Sequence, residues 1–215
     1  MNCPIRKRWT RRKEARPQEL LDAALDLFVE RGYAAARLED VAARAGVSKG
    51  TLYLYFNNKE ELFKAVIREN VVPVLGEAET QFGRFEGSSA EMFRAFILAW
   101  WERIGNTKLS GITKLMMAEA SNFPEVAQYY HDEVIVRGQA MIAQILRRGI
   151  ERGEFRDVNV EQTMNVVCAP VLMLMLWKHS FSACHREELC PATYLGNFVD
   201  LLLYGLMRGD AQAPG

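Results

Sequence analysis

Apolar residues recur along nearly the whole chain at spacings of three and four, and no stretch keeps the period-two alternation of a half-buried strand. Asn-Gly and Asp-Gly pairs, the usual two-residue hairpin turns, are absent. The pattern predicts an all-α protein. A first helix opens at Pro17, where the fixed φ of proline suits a first helical position, carries Glu19 in its first turn, and stops before Gly32. Leu20, Leu21, Ala24, Leu25, Leu27 and Phe28 give it a wide apolar face that needs a core. Asn58 and Glu61 form a capping-box pair opening a fourth helix through Phe63, Val66 and Ile67, which Pro73 bends or ends.

A loop containing Gly and Ser at residues 83–89 leads into an aromatic helix with Phe93, Phe96, Trp100 and Trp101. Longer helices are predicted over residues 109–120, 124–152, 160–181 and 191–208, broken at Pro124, Gly153 and Pro191. Helices of this length pack as bundles. The longest apolar run, residues 166–177, has 12 positions and includes Pro170. That falls short of the ~20 apolar residues a bilayer span needs, so it reads as a buried helix and no membrane partner is expected.

A chain of 215 residues with 49% hydrophobic and 25% charged positions has the composition of a folded globular protein. Its formal net charge of zero gives no reason to expect a nucleic-acid partner. The distribution reverses that: the first 70 residues hold 14 Lys and Arg against 10 Asp and Glu, so they stand at +4 and the rest at −4. Before Pro17, Arg6, Lys7, Arg8, Arg11, Arg12, Lys13 and Arg16 face only Glu14, the signature of a basic arm. The organisation read from this is a basic arm at 1–16, a small DNA-binding domain at 17–62, a larger helical-bundle domain at 63–208, and a disordered tail at 209–215.

The segment carrying chemistry is LEDVAARAGVSKGTLYLYF, residues 38–56. Its apolar and small residues fall where two short helices crossing through a tight turn require them: Val41, Ala45, Val47 and Leu52 inward, Ala42 beneath the crossing, Gly46 at the left-handed position that reverses the chain. Ser48 caps the second helix, whose exposed face presents Lys49, Gly50, Thr51, Tyr53 and Tyr55. A helix fits the major groove, and its first turn reaches base edges. Lys49 and Thr51 are therefore candidates for base or phosphate contact, and the two tyrosines for phosphate or thymine methyl contact.

The stretch RGYAAARLEDVAARAGVSKGTLYLYFNNKEELF resembles the TetR family of bacterial regulators, with Gly-Tyr after the first helix, Ala-Gly-Val-Ser at the turn, and Leu-Tyr followed by Phe and Lys-Glu-Glu-Leu. The resemblance covers about residues 16–66; GIERGEFR, residues 149–156, is only generally like effector domains of that family. It implies about nine helices, a homodimer formed by the last two, a ligand cavity in the larger domain and a palindromic double-stranded DNA operator. It also implies repression relieved when a ligand shifts the fourth helix and spreads the recognition helices. One departure stands out: where the family places hydroxyl residues before the second helix, this chain has Ala36 and Arg37.

Each helix of the small domain begins with a cation: Arg16, Arg37, Lys49 and Lys59. A helix start disfavours positive charge by up to ~1 kcal/mol. One account is that these starts face DNA phosphate, backbone N–H and cation acting on one anion; the other is that they are solvated side chains.

In the larger domain, Phe96, Trp100, Met116, Met117, Tyr130, Met173 and Trp177 mark the region of an apolar ligand pocket, although such stripes also serve plain packing. The last two helices are apolar on more than one face. Val171, Leu174, Phe198, Leu202 and Leu206 are the candidates for a homodimer interface. Cys184, His185, His179 and Cys190 lack the paired Cys-x-x-Cys spacing of a zinc site, so neither metal nor cofactor is expected. His131, Asp132 and Glu133 fit an exposed helix face, and no nucleophile elbow, His-Glu-x-x-His, phosphate loop or dinucleotide motif occurs, so an enzyme is not expected. With no apolar leader before the cysteines, a reducing cytoplasm is the expected setting. The leading function is a DNA-binding regulator released by a small apolar or amphipathic effector; the alternative is a helical ligand-binding or adaptor protein without DNA recognition.

Overall fold

A computed structural model describes residues 16–181 and 189–207. They are helical almost throughout, and their only strand-like pairing is a single bridge between Phe155 and Met207. Helix α1 (Arg16–Ala35) carries the apolar face foreseen for it and leaves helical geometry at Gly32, where φ is 81° and the chain kinks. Helices α2 (Leu38–Arg44) and α3 (Lys49–Tyr53) cross through a tight turn, and α4 (Lys59–Asn70) packs back on α1. Asn58 caps α4 by accepting from the Glu61 N–H at 2.8 Å, while the Glu61 carboxylate returns to the N–H of Asn57 at 2.9 Å, one residue earlier than in the usual reciprocal box.

Pro73 does not merely end α4: the chain breaks at Val71, and proline takes an early position in a new helix, α5 (Val72–Gly83), where its missing N–H costs nothing. Helix α6 (Ser89–Trp100) starts from a complete capping box between Ser88 and Glu91. Helices α7 (Ser110–Glu119), α8 (Pro124–Tyr130), α9 (Val136–Glu151), α10 (Val160–Leu176) and α11 (Pro191–Leu206) follow. Turns of π-helix extend α6 over Trp101–Gly105, join α8 to α9 over His131–Ile135, and extend α10 over Trp177–Phe181. The stretch predicted as one helix over 124–152 is thus one rod with a wide turn inside it.

One cluster of buried side chains runs from Leu20 on α1 to Leu206 on α11, so the small N-terminal unit and the larger bundle share a core. Helix α10 corrects an expectation. It does not lie buried: Val167, Val171, Leu174 and Met175 face inward, whereas Val166 is 58% and Met173 47% exposed. The span Val160–Phe181 is long and apolar enough to cross a membrane by length and composition. It packs instead on α7, α9 and α11, with an apolar stripe left over on its outer side.

Candidate functional site

The tight turn between α2 and α3 follows from small residues. Ala42 is buried beneath the crossing, Gly46 takes φ 67°, and the Val47 N–H donates to the Ala42 carbonyl at 2.9 Å. Ser48 then accepts from the Thr51 N–H at 3.1 Å, and the two hydroxyls share a bond of 2.9 Å. Two ion pairs brace α2 on α1: Arg44 grips Glu30 through both nitrogens at 2.7 and 2.8 Å, and Arg31 meets Asp40 at 2.8 Å. Arg44 holds the Glu30 carboxyl below its ordinary range. The result is a rigid platform from which Ser48, Lys49, Gly50, Tyr53 and Tyr55 project into solvent, with Thr51 half-buried.

Leu54, between the two tyrosines, is 82% exposed and was not among the residues picked out from the sequence. Its mark in the sequence is that it stands outside the inward set Val41, Ala45, Val47 and Leu52. No packing demand explains a leucine there.

The four cationic helix starts separate into different environments. Arg37 stands at the N-cap of α2 and makes no side-chain cap bond, so the start of α2 lacks the hydroxyl that would satisfy it. The ammonium of Lys49 pairs with Glu39 at 2.5 Å, which raises the Lys49 pKa and lowers that of Glu39. Lys59 is placed differently from the expectation of a phosphate contact. Its ammonium donates to the carbonyls of Tyr33 at 2.7 Å and Ala34 at 3.0 Å, capping the negative end of α1, and lies 4.6 Å from the centre of the Tyr33 ring. Burial there pushes its pKa down. Arg16 opens α1, but its side chain, like the arm before it, falls outside the described residues.

In the larger domain a cavity of about 460 Å³ lies between α6, α7, α8, α9 and α10, within the range of small-molecule pockets. Phe96, Trp100, Met116, Met117 and Tyr130 from the sequence reading line it, together with Thr113, Gln139, Ile142, Val171 and others. Met173 and Trp177 do not: Met173 points outward from α10, and Trp177 sits one turn beyond the cavity's end of that helix. Val134 and Ile135 of the π-turn face the space, so the wide turn shapes its wall. Burial pushes the Tyr130 phenol up to about 12 and raises the Cys168 thiol.

The cavity's walls continue into the DNA-reading unit. Helix α7, which supplies Thr113, Met116 and Met117, lies against α1 with Gly111 directly over Val29, and Lys108 at its approach pairs with Asp26 at 2.5 Å. Phe123, in the turn from α7 to α8, stacks edge-on against Tyr33 at 4.6 Å and lies 6.0 Å from the Lys59 ammonium. Helix α8 packs on α4, where the Lys64 ammonium is 5.6 Å from the Tyr129 ring.

The residues picked for a dimer interface are also redistributed. Val171, Leu174 and Leu206 are buried within the subunit, and Phe198 and Leu202 are half-buried. The apolar residues facing out are Val166 and Met173 on α10, with Leu201 (76% exposed) and Tyr204 (89%) on α11. Among the described residues no group of His, Cys, Asp and Glu can hold a metal. Cys184 and His185 lie outside the described residues, Cys190 is exposed, and His179 is occupied by the Ser110 hydroxyl at 2.7 Å.

Described residues that are helical almost throughout, with a helix-turn-helix in one unit and a cavity between the helices of the other, have the build of a ligand-responsive DNA-binding regulator. Comparison with known proteins agrees. Residues 20–66 match the family described as bacterial regulatory proteins, tetR family, and residues 86–189 match the tetracyclin repressor-like C-terminal domain. The fatty acid metabolism regulator protein of Bacillus subtilis (strain 168) is 29% identical over 149 residues, 67% of this chain and 74% of that one. The transcriptional repressor KstR2 of Mycolicibacterium smegmatis is 28% identical, covering 68% and 71% of the two chains. The crystal structure of the regulator FadR from Bacillus subtilis in complex with stearoyl-CoA superposes with a TM-score of 0.73 at 22% identity, over 87% of this chain and 98% of that one. The chain belongs to the TetR family: it is a DNA-binding, ligand-responsive regulator of transcription and not an enzyme.

Proposed function

We propose that the protein is a homodimeric, cytoplasmic repressor that holds a palindromic operator and lets go when an apolar or amphipathic molecule fills the cavity. In this reading residues 17–62 read DNA and residues 63–208 hold effector and partner. Ser48, Lys49, Gly50, Thr51, Tyr53 and Tyr55 enter the major groove, Leu54 joins them against thymine methyl groups, and Arg37 and Arg16 take phosphate. Lys59 leaves the contact list and becomes a structural cap.

The observation that carries the proposal is physical continuity: the helices lining the cavity, α7 and α8, are the ones packed on α1 and α4. A guest that displaces Met116 or Tyr130 therefore presses on the elements that position α3. Differential affinity of the guest for the two arrangements is what would shift DNA binding. The names of relatives support both halves, since one is a transcriptional repressor and another a fatty acid metabolism regulator, and a solved relative holds stearoyl-CoA.

Selection of bound sites from random double-stranded DNA, followed by a screen of neutral lipophiles for release of the selected site, tests the reading. A two-fold symmetric site released by at least one lipophile is expected. Recovery of an asymmetric site bound by a monomer, or release by none of the compounds that bind the protein, would overturn it.

A further inference from the structure

The chemistry of the cavity wall narrows the occupant, an inference that rests on the cavity being the effector site. Five helices and a π-turn line it, yet among the described residues none that lines it is Asp, Glu, Lys, Arg or His. A carboxylate, phosphate or ammonium brought against this wall would lose water with no counter-charge among the described residues to replace it. The polar side chains on offer are the hydroxyls of Thr113 and Tyr130, the amides of Gln139 and Asn165, and the thiol of Cys168.

Of these, Tyr130 is the most committed to the interior. It is 6% exposed, and its phenol oxygen is held 2.8 Å from Thr113 Oγ1, which fixes where that oxygen points. Two hydroxyls carry two protons between them, and their mutual bond uses one. The other, with the remaining lone pairs, is available to a guest in a wall built largely of apolar side chains such as Phe96, Ile97, Trp100, Met116 and Ile142. A buried phenol held by a half-buried hydroxyl on the wall of a mainly apolar cavity is a device for orienting one polar atom of an apolar ligand.

We propose that the effector is uncharged within the cavity and largely apolar, that it bears one neutral oxygen function (a ketone, ester or thioester carbonyl, or an alcohol), and that Tyr130, positioned by Thr113, reads that oxygen. A carboxylate of equal length is discriminated against by either route: seated at Tyr130 it is a buried charge without a partner, and left in water it forfeits the hydrogen bond.

The test is displacement of the neutral fluorophore N-phenylnaphthylamine from the full-length protein by heptane, methyl pentyl ketone and heptanoate, with wild type, Tyr130→Phe and Thr113→Val. Expressed relative to heptane in the same protein, which cancels their different hydrophobicity, the ketone should compete about fivefold better in wild type than in protein lacking the phenol, as one hydrogen bond of about 1 kcal/mol allows, and heptanoate about tenfold worse than the ketone. Tyr130→Phe should lower the ketone-to-heptane ratio about fivefold, heptane serving as the internal control for any change in the wall itself. Thr113→Val, which keeps shape and releases the phenol, should lower the ketone preference in the same direction and stands in if the first variant does not fold. Heptanoate competing as well as the ketone, or a ketone-to-heptane ratio unchanged in both variants, overturns the proposal and leaves the regulator reading intact. Failure of the fluorophore and every compound to bind protein that still holds its selected DNA site overturns the cavity as effector site as well.

Discussion

At the scale of single residues, the cations at helix starts show how one sequence feature divides by environment. A lysine at the first position of a helix opposes the local dipole, but Lys59 escapes that penalty by reaching the carbonyl end of α1. Arg37 has no such outlet at the N-cap of α2. The two should therefore behave differently on truncation. Arg37→Ala should leave the melting temperature nearly unchanged and reduce the slope of log binding constant against log salt by about one, as for one lost phosphate contact. Lys59→Ala should leave that slope unchanged and cost about 1 kcal/mol of stability, since charge-assisted bonds to two carbonyls are lost at a half-exposed position. Equal salt slopes in wild type and Arg37→Ala would remove Arg37 from the interface.

At the scale of elements, the contact between α7 and α1 depends on Gly111. A β-carbon there would come within 2.6 Å of Val29 Cγ1, on a β-branched side chain that cannot swing aside cheaply. Gly111→Ala should therefore push α7 from α1 and cost about 1–3 kcal/mol. Adding Val29→Ala should restore much of that loss, which a double-mutant cycle by urea denaturation would register as a coupling between the two sites. Additive losses would mean that the helices do not meet at this pair. If α7 carries the effector's influence to α1, the single variant should also bind its selected DNA site more weakly before any ligand is added, and the double variant less so.

At the scale of the whole molecule, the subunit leaves Val166, Met173, Leu201 and Tyr204 exposed on α10 and α11. Large apolar side chains gathered on neighbouring helices are the mark of an interface, and a two-fold partner is the simplest cover for them. Leu201→Glu together with Tyr204→Glu should convert the dimer into a folded monomer in light scattering and abolish binding to a two-half-site DNA, with fluorophore binding in the cavity retained. A dimer that persists in this variant would place the partner elsewhere. Because both residues are solvent-exposed in the subunit, the change should have little effect on the fold of the subunit itself.

Local chemistry written in the chain was enough to specify the helices, their breaks and the reading head. Ser48 as cap and Gly46 as left-handed turn are decided by side chains within a few residues of each other, so they were legible without coordinates. The same holds for the missing cap at Arg37; Phe96, Trp100, Met116, Met117 and Tyr130 line one cavity, but the stripes that hold them serve packing as well, and Met173 and Trp177 from the same set lie off it. Which side of an apolar helix meets its own subunit is a different matter. Val171, Leu174 and Leu206 looked equivalent to Val166, Leu201 and Tyr204 in sequence, since helices apolar on two faces do not label them, and only packing put the first set inside and the second outside. Tertiary structure likewise decided that Lys59 caps a helix begun more than forty residues earlier, and that among the described residues no charged side chain lines the cavity. Both depend on contacts between distant segments, for which helical periodicity carries no information.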